Sequence, residues 1–194
     1  PDDLEALDAS PVRTLDKEAE ARIIERINEA KKASDTLGGV IEVLAYGVPA
    51  GIGTYVESDR RLDAALASAI MGIQAFKGVE IGDGFAAARS RGSFNNDAYR
   101  PAGAGSTPGN PATNHCGGIL GGISTGQPLV MTVAIKPIPS IAKEQQSVNA
   151  EGSPVSLRVG GRHDICAIPR VNPVLEAMAA LTVADALLLQ RRMG

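Results

Sequence analysis

The segment Gly160–Arg170, "GGRHDICAIPR", concentrates residue types that can do chemistry. Arg162 is a permanent cation with five N–H donors, and His163 titrates near neutral pH. Asp164 can act as a base or accept hydrogen bonds, and Cys166 follows two residues later. These residues alone leave three interpretations open: an active site, a metal site, or a charged turn in solvent.

Two other segments could bind an anion. Gly117–Gly126, "GGILGGISTG", is rich in glycine, which lets backbone N–H groups approach an anion, although tight turns also use glycine. Lys136–Ser140, "KPIPS", places a lysine beside two prolines, where it could hold an anionic ring or a phosphate, or simply lie in solvent. His115, just before the glycines, could carry a proton or serve as a hydrogen-bonded loop residue.

A metal site lacks ligands in this sequence. The chain has two histidines and two cysteines, and Cys116 and Cys166 show no CxxC spacing. A zinc site usually takes four such ligands at close spacing. We therefore expect no metal, and we expect both cysteines to be small packing residues.

The elements that must position these groups can be predicted from periodicity. An amphipathic helix is predicted from about 16 to 35, a second helix over 60–75, and a long C-terminal helix that starts at Asn172–Pro173. The predicted strands are 40–48, 78–85, 86–93, 128–137 and 155–159, and 95–114 is a predicted loop. This alternation lacks the spacing of a doubly wound fold. It predicts an α/β sandwich over a single domain, 1–194, with helices packed on a largely antiparallel sheet.

Composition excludes several classes of protein. The net charge is −3 and the pI is near 5.4, so no basic face for nucleic acid is expected. No apolar run approaches the roughly twenty residues that a membrane helix needs, so no membrane association is predicted, and we expect a cytoplasmic protein. The chain does not begin with Met, and we expect it to start inside a longer protein.

Several segments together resemble one family, the chorismate synthases. The resemblance runs from about Gly39 to the C-terminus, through "GVEIGDGF", the "RGS" and "ND" of "RSRGSFNND", "NHCGGILGGISTGQP", "IKPIPSI" and "GRHDICAIPRVNPVLEAM". The last is similar to the family's C-terminal signature, carried here by Arg162, Asp164, Cys166 and Glu176. The family's early Gly-Glu-Ser-His-Gly and middle Ser-(Ala/Gly)-Arg signatures are missing. We therefore expect the later half of such an enzyme.

The resemblance implies an activity and a cofactor. Chorismate synthases are carbon–oxygen lyases of the shikimate pathway of aromatic amino-acid biosynthesis. They convert 5-enolpyruvylshikimate 3-phosphate to chorismate by a 1,4-anti elimination of phosphate. They require reduced FMN, with NADPH as a possible reductant only. The family has its own β-α-β sandwich fold and is a homotetramer.

The resemblance also implies roles for particular residues. Asp164 would be catalytic, near flavin N5, where it would assist the deprotonation at C6. Arg162 would bind both FMN and the substrate. The other FMN-binding positions would be Gln74, Ala75, Gly121, Lys136, Pro137, Ile138, Pro139 and Ser140. The chemistry of Arg162 and Lys136 agrees with these roles, because reduced FMN is an anion that also carries a phosphate and both side chains are cations.

Two other functions remain open for the chain by itself. It could be a non-catalytic domain that binds FMN or a phosphate metabolite, or an assembly fragment that binds nothing. We expect the isolated chain to be inactive as an enzyme.

Overall fold

The computed structural model describes residues 3–99 and 111–192. Most of the predicted loop at 95–114 lies outside the described residues. Within those ranges the helices are α1 (Leu4–Ala9), α2 (Lys17–Lys32), α3 (Leu62–Met71), α4 (Gly84–Ala87), α5 (Gly92–Asn95) and α6 (Ile168–Arg192). The strands are β1 (Gly39–Ala45), β2 (Phe76–Ile81), β3 (Ile119–Leu120), β4 (Ile123–Ser124), β5 (Leu129–Ile135), β6 (Gln145–Val148) and β7 (Pro154–Leu157).

The chain divides into two compact units. The first comprises Pro1–Gly39 and Ile135–Asn172, and the second comprises Val40–Ala134 and Pro173–Gly194. The single domain over 1–194 stays a prediction.

The core of the second unit lies between a sheet and a helix. The sheet has the strand order β1-β5-β2, and α3 packs against β2. Every second residue of β5 is buried, as the two-residue period of a strand requires, and every fourth residue of α3 is buried. In the second unit these residues are Leu129, Met131 and Val133 on the strand, and Leu62, Leu66 and Ile70 on the helix; Ile135, the last residue of β5, is also buried and belongs to the first unit.

The other four strands form two antiparallel pairs. β3 pairs with β4, and β6 pairs with β7. The antiparallel hairpins and the packed helices confirm the predicted mixed α/β class.

The helix predicted over 16–35 is confirmed as α2. The carboxylate of Asp16 accepts hydrogen bonds from the N–H groups of Glu18 and Ala19, so Asp16 is its N-cap. Lys31 and Lys32 occupy the last turn, where positive charge complements the helix dipole.

The strand predicted over 86–93 is wrong. The structure has the short helices α4 and α5 in this region instead. Alanines fill 86–88 and no β-branched residue occurs over 86–93, so local preference favours helical turns.

The predicted start of the last helix is also wrong. α6 begins at Ile168, four residues before Asn172, and Pro173 lies inside the helix. Pro169, and not Pro173, occupies the first turn, where a missing N–H costs nothing.

α6 is also longer and more apolar than the sequence analysis allowed. By length and composition alone, this helix could cross a membrane. The expectation that no apolar run reaches that length is therefore wrong. A single such helix carries little weight for a membrane location, because core helices pass the same test.

Candidate functional site

The lysine–proline segment, Lys136–Ser140, follows directly on β5. It has no regular secondary structure. The Thr36 hydroxyl donates a 2.6 Å hydrogen bond to the carbonyl oxygen of Ile138. A proline on each side of Ile138 restricts the backbone, because each ring fixes φ. The segment is therefore held through its backbone, while the Lys136 side chain is exposed and available to a ligand.

The arginine–aspartate turn, Arg162–Asp164, lies between β7 and α6. Arg162 is exposed and Asp164 is half-buried. The Asp164 carboxylate lies 3.3 Å from the guanidinium of Arg170 in the first turn of α6. Nε2 of His163 lies 3.1 Å from the carbonyl oxygen of Gly160. The turn thus leaves Arg162 and Asp164 accessible, while His163 contacts the backbone of Gly160.

One short stretch of chain contacts the lysine–proline segment and the two residues that directly follow the arginine–aspartate turn. We call residues 35–39 the bridging segment. Its Thr36 holds the lysine–proline segment, as described above. The backbone N–H of Leu37 donates to the carbonyl oxygen of Ile165 at 2.7 Å, and Leu37 forms a parallel bridge with Cys166. The structure therefore brings the lysine–proline segment and the arginine–aspartate turn to the same stretch of the first unit.

Two glycines allow this close approach. A Cβ atom at Gly38 would lie 2.3 Å from the carbonyl oxygen of Ile135 and 2.9 Å from the ring of Pro137. A Cβ atom at Gly39 would lie 2.3 Å from Cδ1 of Ile168. Any larger residue at either position would have to displace its neighbours.

The remaining predicted FMN-binding residues belong to the second unit. Gln74 is exposed, just before β2. Ala75 has a φ of 74°, in the left-handed region that L-residues rarely adopt. Gly121 lies in the turn between β3 and β4. Their place in one binding site with the residues of the first unit stays a prediction.

We call residues Gly117–Gly126 the glycine loop. At several of its positions the backbone conformation or a close neighbour requires glycine. Gly121 and Gly122 have φ values of 63° and 86°, which a two-residue hairpin turn of type I′ requires. A Cβ atom at Gly122 would lie 2.7 Å from the carbonyl oxygen of Thr54. A Cβ atom at Gly121, in contrast, would meet no atom within 4 Å. Gly121 therefore has open space beside it, which suits the approach of a ligand.

A polar cluster beside this loop was missed by the sequence analysis. The Asp97 carboxylate accepts hydrogen bonds from the Thr113 hydroxyl at 2.6 Å and from the N–H groups of His115 at 2.8 Å and Cys116 at 2.9 Å. Burial acts to raise the pKa of Asp97, but these hydrogen bonds outweigh it and lower the pKa to about 2. The "ND" of "RSRGSFNND" was a possible signal, because it ends at Asp97.

His115 is held tightly in the same cluster. Its Nδ1 atom lies 2.6 Å from the Asp83 carboxylate, and the Asp83 N–H donates to the carbonyl oxygen of His115 at 2.9 Å. The rings of Phe94 and His115 are 5.2 Å apart. His115 is therefore a hydrogen-bonded loop residue in this structure, and a carboxylate on Nδ1 would also orient a proton carrier.

The two cysteines are half-buried and are not joined in a disulfide. Burial raises the pKa of the Cys116 thiol, and the Asp97 carboxylate beside it raises that pKa further. The thiol is therefore protonated at neutral pH and is a poor nucleophile. Within 3–99 and 111–192, no group of three or more His, Cys, Asp or Glu residues could hold a metal ion.

Two exposed cations of the first unit, Lys136 and Arg162, have the chemistry to bind an anion such as a flavin nucleotide. Lys136 and Arg162 form no ion pair within the described part of the chain, so their charges remain available. FMN carries a phosphate, and reduced flavin is an anion at its ring. A guanidinium and an ammonium are the side chains that bind such groups.

Comparison with known proteins identifies the family. The family model described as chorismate synthase matches residues 3–188. Chorismate synthase of Bifidobacterium longum (strain DJO10A) is 65% identical over 184 residues, which is 95% of this chain and 46% of the relative. That of Desulfovibrio desulfuricans is 58% identical over 170 residues, which is 87% of this chain and 46% of the relative.

A solved structure agrees with these relatives. A crystal structure of chorismate synthase matches with a TM-score of 0.76 and 38% identity, over 96% of this chain and 47% of the other. The chain thus spans less than half the length of the proteins it matches, and the matched part is their C-terminal half. By sequence and by fold, the chain belongs to the chorismate synthase family.

Proposed function

We propose that the chain forms the C-terminal half of a chorismate synthase that acts on 5-enolpyruvylshikimate 3-phosphate. The bridging segment supports this proposal most directly. It joins the lysine–proline segment and the arginine–aspartate turn, which the family resemblance marks as cofactor-binding and catalytic, within one compact unit. The reaction breaks the bond between carbon and the phosphate oxygen, and removes the proton from C6.

Two cations bind the anionic ligands. Arg162 offers a planar fork of N–H donors to the cofactor and to the substrate, while Lys136 supplies a point charge to the cofactor. Pro137, Ile138, Pro139 and Ser140 form the rest of the cofactor-binding segment. Gln74, Ala75 and Gly121, which belong to the second unit, are further cofactor-binding residues in this proposal.

Asp164 assists removal of the C6 proton. Its carboxylate is half-buried, and Arg170 holds it from one side without enclosing it. A positioned side chain that moves a proton contributes about 10²- to 10⁴-fold to a reaction rate. When bound beside Lys136 and Arg162, reduced FMN would supply electron density to the substrate transiently, with no net redox change.

The complete enzyme has further properties in this proposal. It is a homotetramer in the cytoplasm, it takes part in aromatic amino-acid biosynthesis, and NADPH is a possible reductant of its flavin only. Nucleic acid and membranes are not partners.

The proposal can be tested with a complete chain. We define the hybrid enzyme as the Bifidobacterium longum relative in which residues 1–194 replace the matching C-terminal half. The 65% identity of the two segments makes this replacement conservative. The hybrid enzyme should release phosphate from 5-enolpyruvylshikimate 3-phosphate with reduced FMN and not without it. Release that does not depend on flavin contradicts the proposal.

A second candidate function applies to the chain by itself. Because it spans 46% of its relative, the isolated chain could be a non-catalytic domain that binds FMN or a phosphate metabolite. A fluorescence titration of the 194-residue chain with FMN tests this. Tight binding without phosphate release supports the binding domain, and turnover by the isolated chain excludes it.

A further inference from the structure

The bridging segment is anchored at its first residue. The N–H of Asp35 donates to the carbonyl oxygen of Ala30 at 2.9 Å, which ties it to the last turns of α2. The Asp35 carboxylate lies 2.5 Å from the ammonium of Lys143, three residues beyond the lysine–proline segment. It also accepts the N–H of Thr36 at 2.9 Å. The first residue of the bridging segment is therefore fixed, and the next two residues make the contacts with Ile138 and Ile165.

The two contacts beyond Asp35 have different chemistry. Leu37 holds Ile165, directly after the arginine–aspartate turn, through its backbone N–H, so substitution of its side chain leaves that bond in place. Thr36 holds the lysine–proline segment through its side-chain hydroxyl, at 2.6 Å from the carbonyl oxygen of Ile138. The residue that carries this carbonyl lies between two prolines, which have no backbone N–H to donate. Because the Thr36 donor is a side-chain hydroxyl, a single substitution can remove this hydrogen bond.

We propose that Thr36 is a positioning residue of the cofactor site. Its hydroxyl holds the lysine–proline segment, while its neighbour Leu37 holds Ile165, directly after the arginine–aspartate turn, and this limits how far the two segments can move apart. This inference rests on the proposed function, in which both cations bind one anionic cofactor. Pre-organised groups bind more tightly because their ordering has no further cost on binding. Thr36 acts through the backbone and has no part in the chemical step.

The test separates cofactor affinity from chemistry. In the hybrid enzyme, Thr36→Val keeps the shape of the side chain and removes the hydroxyl, and Thr36→Ser keeps the hydroxyl. We expect Thr36→Val to raise the Kd for reduced FMN about fivefold, which corresponds to the typical net contribution of one hydrogen bond. At saturating reduced FMN its kcat should stay within about twofold of the parent enzyme. Thr36→Ser should restore the parent Kd.

A second threonine provides the matched control. The Thr182 hydroxyl donates to the carbonyl oxygen of Met178 at 2.8 Å within α6, so Thr182→Val removes the same kind of bond elsewhere. It should leave the Kd for reduced FMN unchanged. A parent Kd in Thr36→Val, or a Kd raised equally in Thr36→Ser, overturns the inference. If the unsubstituted hybrid enzyme does not bind reduced FMN, the proposed function fails instead.

A measurement without any variant covers the case in which Thr36→Val does not fold. Amide hydrogen exchange is followed in the unsubstituted hybrid enzyme with and without reduced FMN. Binding to segments held by residues 35–39 stabilises their closed state, so exchange at Leu37 should slow when the cofactor binds. Unchanged exchange at Leu37, with cofactor bound, contradicts a positioning role.

Discussion

The carboxylate of Asp164 lies 3.3 Å from the guanidinium of Arg170, in the first turn of α6. Both side chains are partly exposed, so the ion pair contributes little to the free energy of unfolding. Its effect is geometric, because it gives the carboxylate a preferred direction at the end of the arginine–aspartate turn. In the proposed function, this carboxylate handles a proton and does not hold the cofactor.

Replacing Asp164 should affect turnover more than cofactor affinity. In the hybrid enzyme, Asp164→Ala should lower kcat about 100-fold or more, since it removes the group that assists proton removal. The Kd for reduced FMN should change by about threefold at most, which is within the small effect of an exposed ion pair. Phosphate release and flavin titration measure the two quantities. Asp185→Asn, at an exposed position of α6, is the control. Equal losses of turnover and flavin affinity would contradict the role of Asp164.

Asp97 should make a contribution to stability that depends on pH. Its pKa is lowered to about 2 in the folded chain, so its stabilisation is present above the ordinary pKa of Asp and is lost as pH falls toward 2. Asp97→Asn should lower the free energy of unfolding by about 1 kcal/mol at pH 7, a discounted figure because the carboxylate is partly exposed. Urea unfolding at pH 7 and at lower pH values measures it. A deficit that is constant down to acidic pH would contradict this account.

Gly82 should not tolerate a side chain. Its φ is 58°, and a Cβ atom there would lie 2.2 Å from the carbonyl oxygen of His115 and 2.5 Å from the nitrogen of Gly117. Gly82→Ala should lower the free energy of unfolding by about 2–4 kcal/mol, because backbone atoms cannot move aside cheaply. At Gly92 a Cβ atom would meet nothing within 4 Å, so Gly92→Ala is the matched control. Equal effects of the two substitutions on urea unfolding would show that the backbone around Gly82 has room for a side chain.

Replacing Ala75 by glycine should stabilise the folded chain. Its φ of 74° costs an L-residue about 1 kcal/mol, which glycine avoids. We expect Ala75→Gly to raise the free energy of unfolding by about 0.5 kcal/mol, after the larger entropy of the unfolded chain is counted. Ala21→Gly, at an exposed position inside α2, should lower it by about 1 kcal/mol. Effects of the same sign in thermal unfolding would exclude strain at Ala75.

The long periodic elements could be predicted from sequence. The repeat of apolar residues and the cap at Asp16 define α2, and alternating burial along β5 follows from its run of apolar residues. The last helix was predicted with the wrong start because the sequence contains two prolines, and either could occupy the first turn. The region 86–93 was too short for periodicity to distinguish helix from strand.

The roles of the site residues stay predictions. The resemblance points to Lys136, Arg162 and Asp164, but nothing in their spacing shows what holds them. The contacts of Thr36 with Ile138, 102 positions apart, depend on tertiary structure and leave no local pattern. The same holds for the bonds of Asp97, whose partners lie 16 to 19 positions later.

The central claim is most directly tested by product stoichiometry in the hybrid enzyme. With oxygen excluded, chorismate, phosphate and reduced FMN are quantified together during turnover of 5-enolpyruvylshikimate 3-phosphate. The account predicts one phosphate for each chorismate, no reaction without reduced FMN, and no net consumption of the flavin. Phosphate released without flavin, or flavin oxidised in proportion to the product, would contradict it.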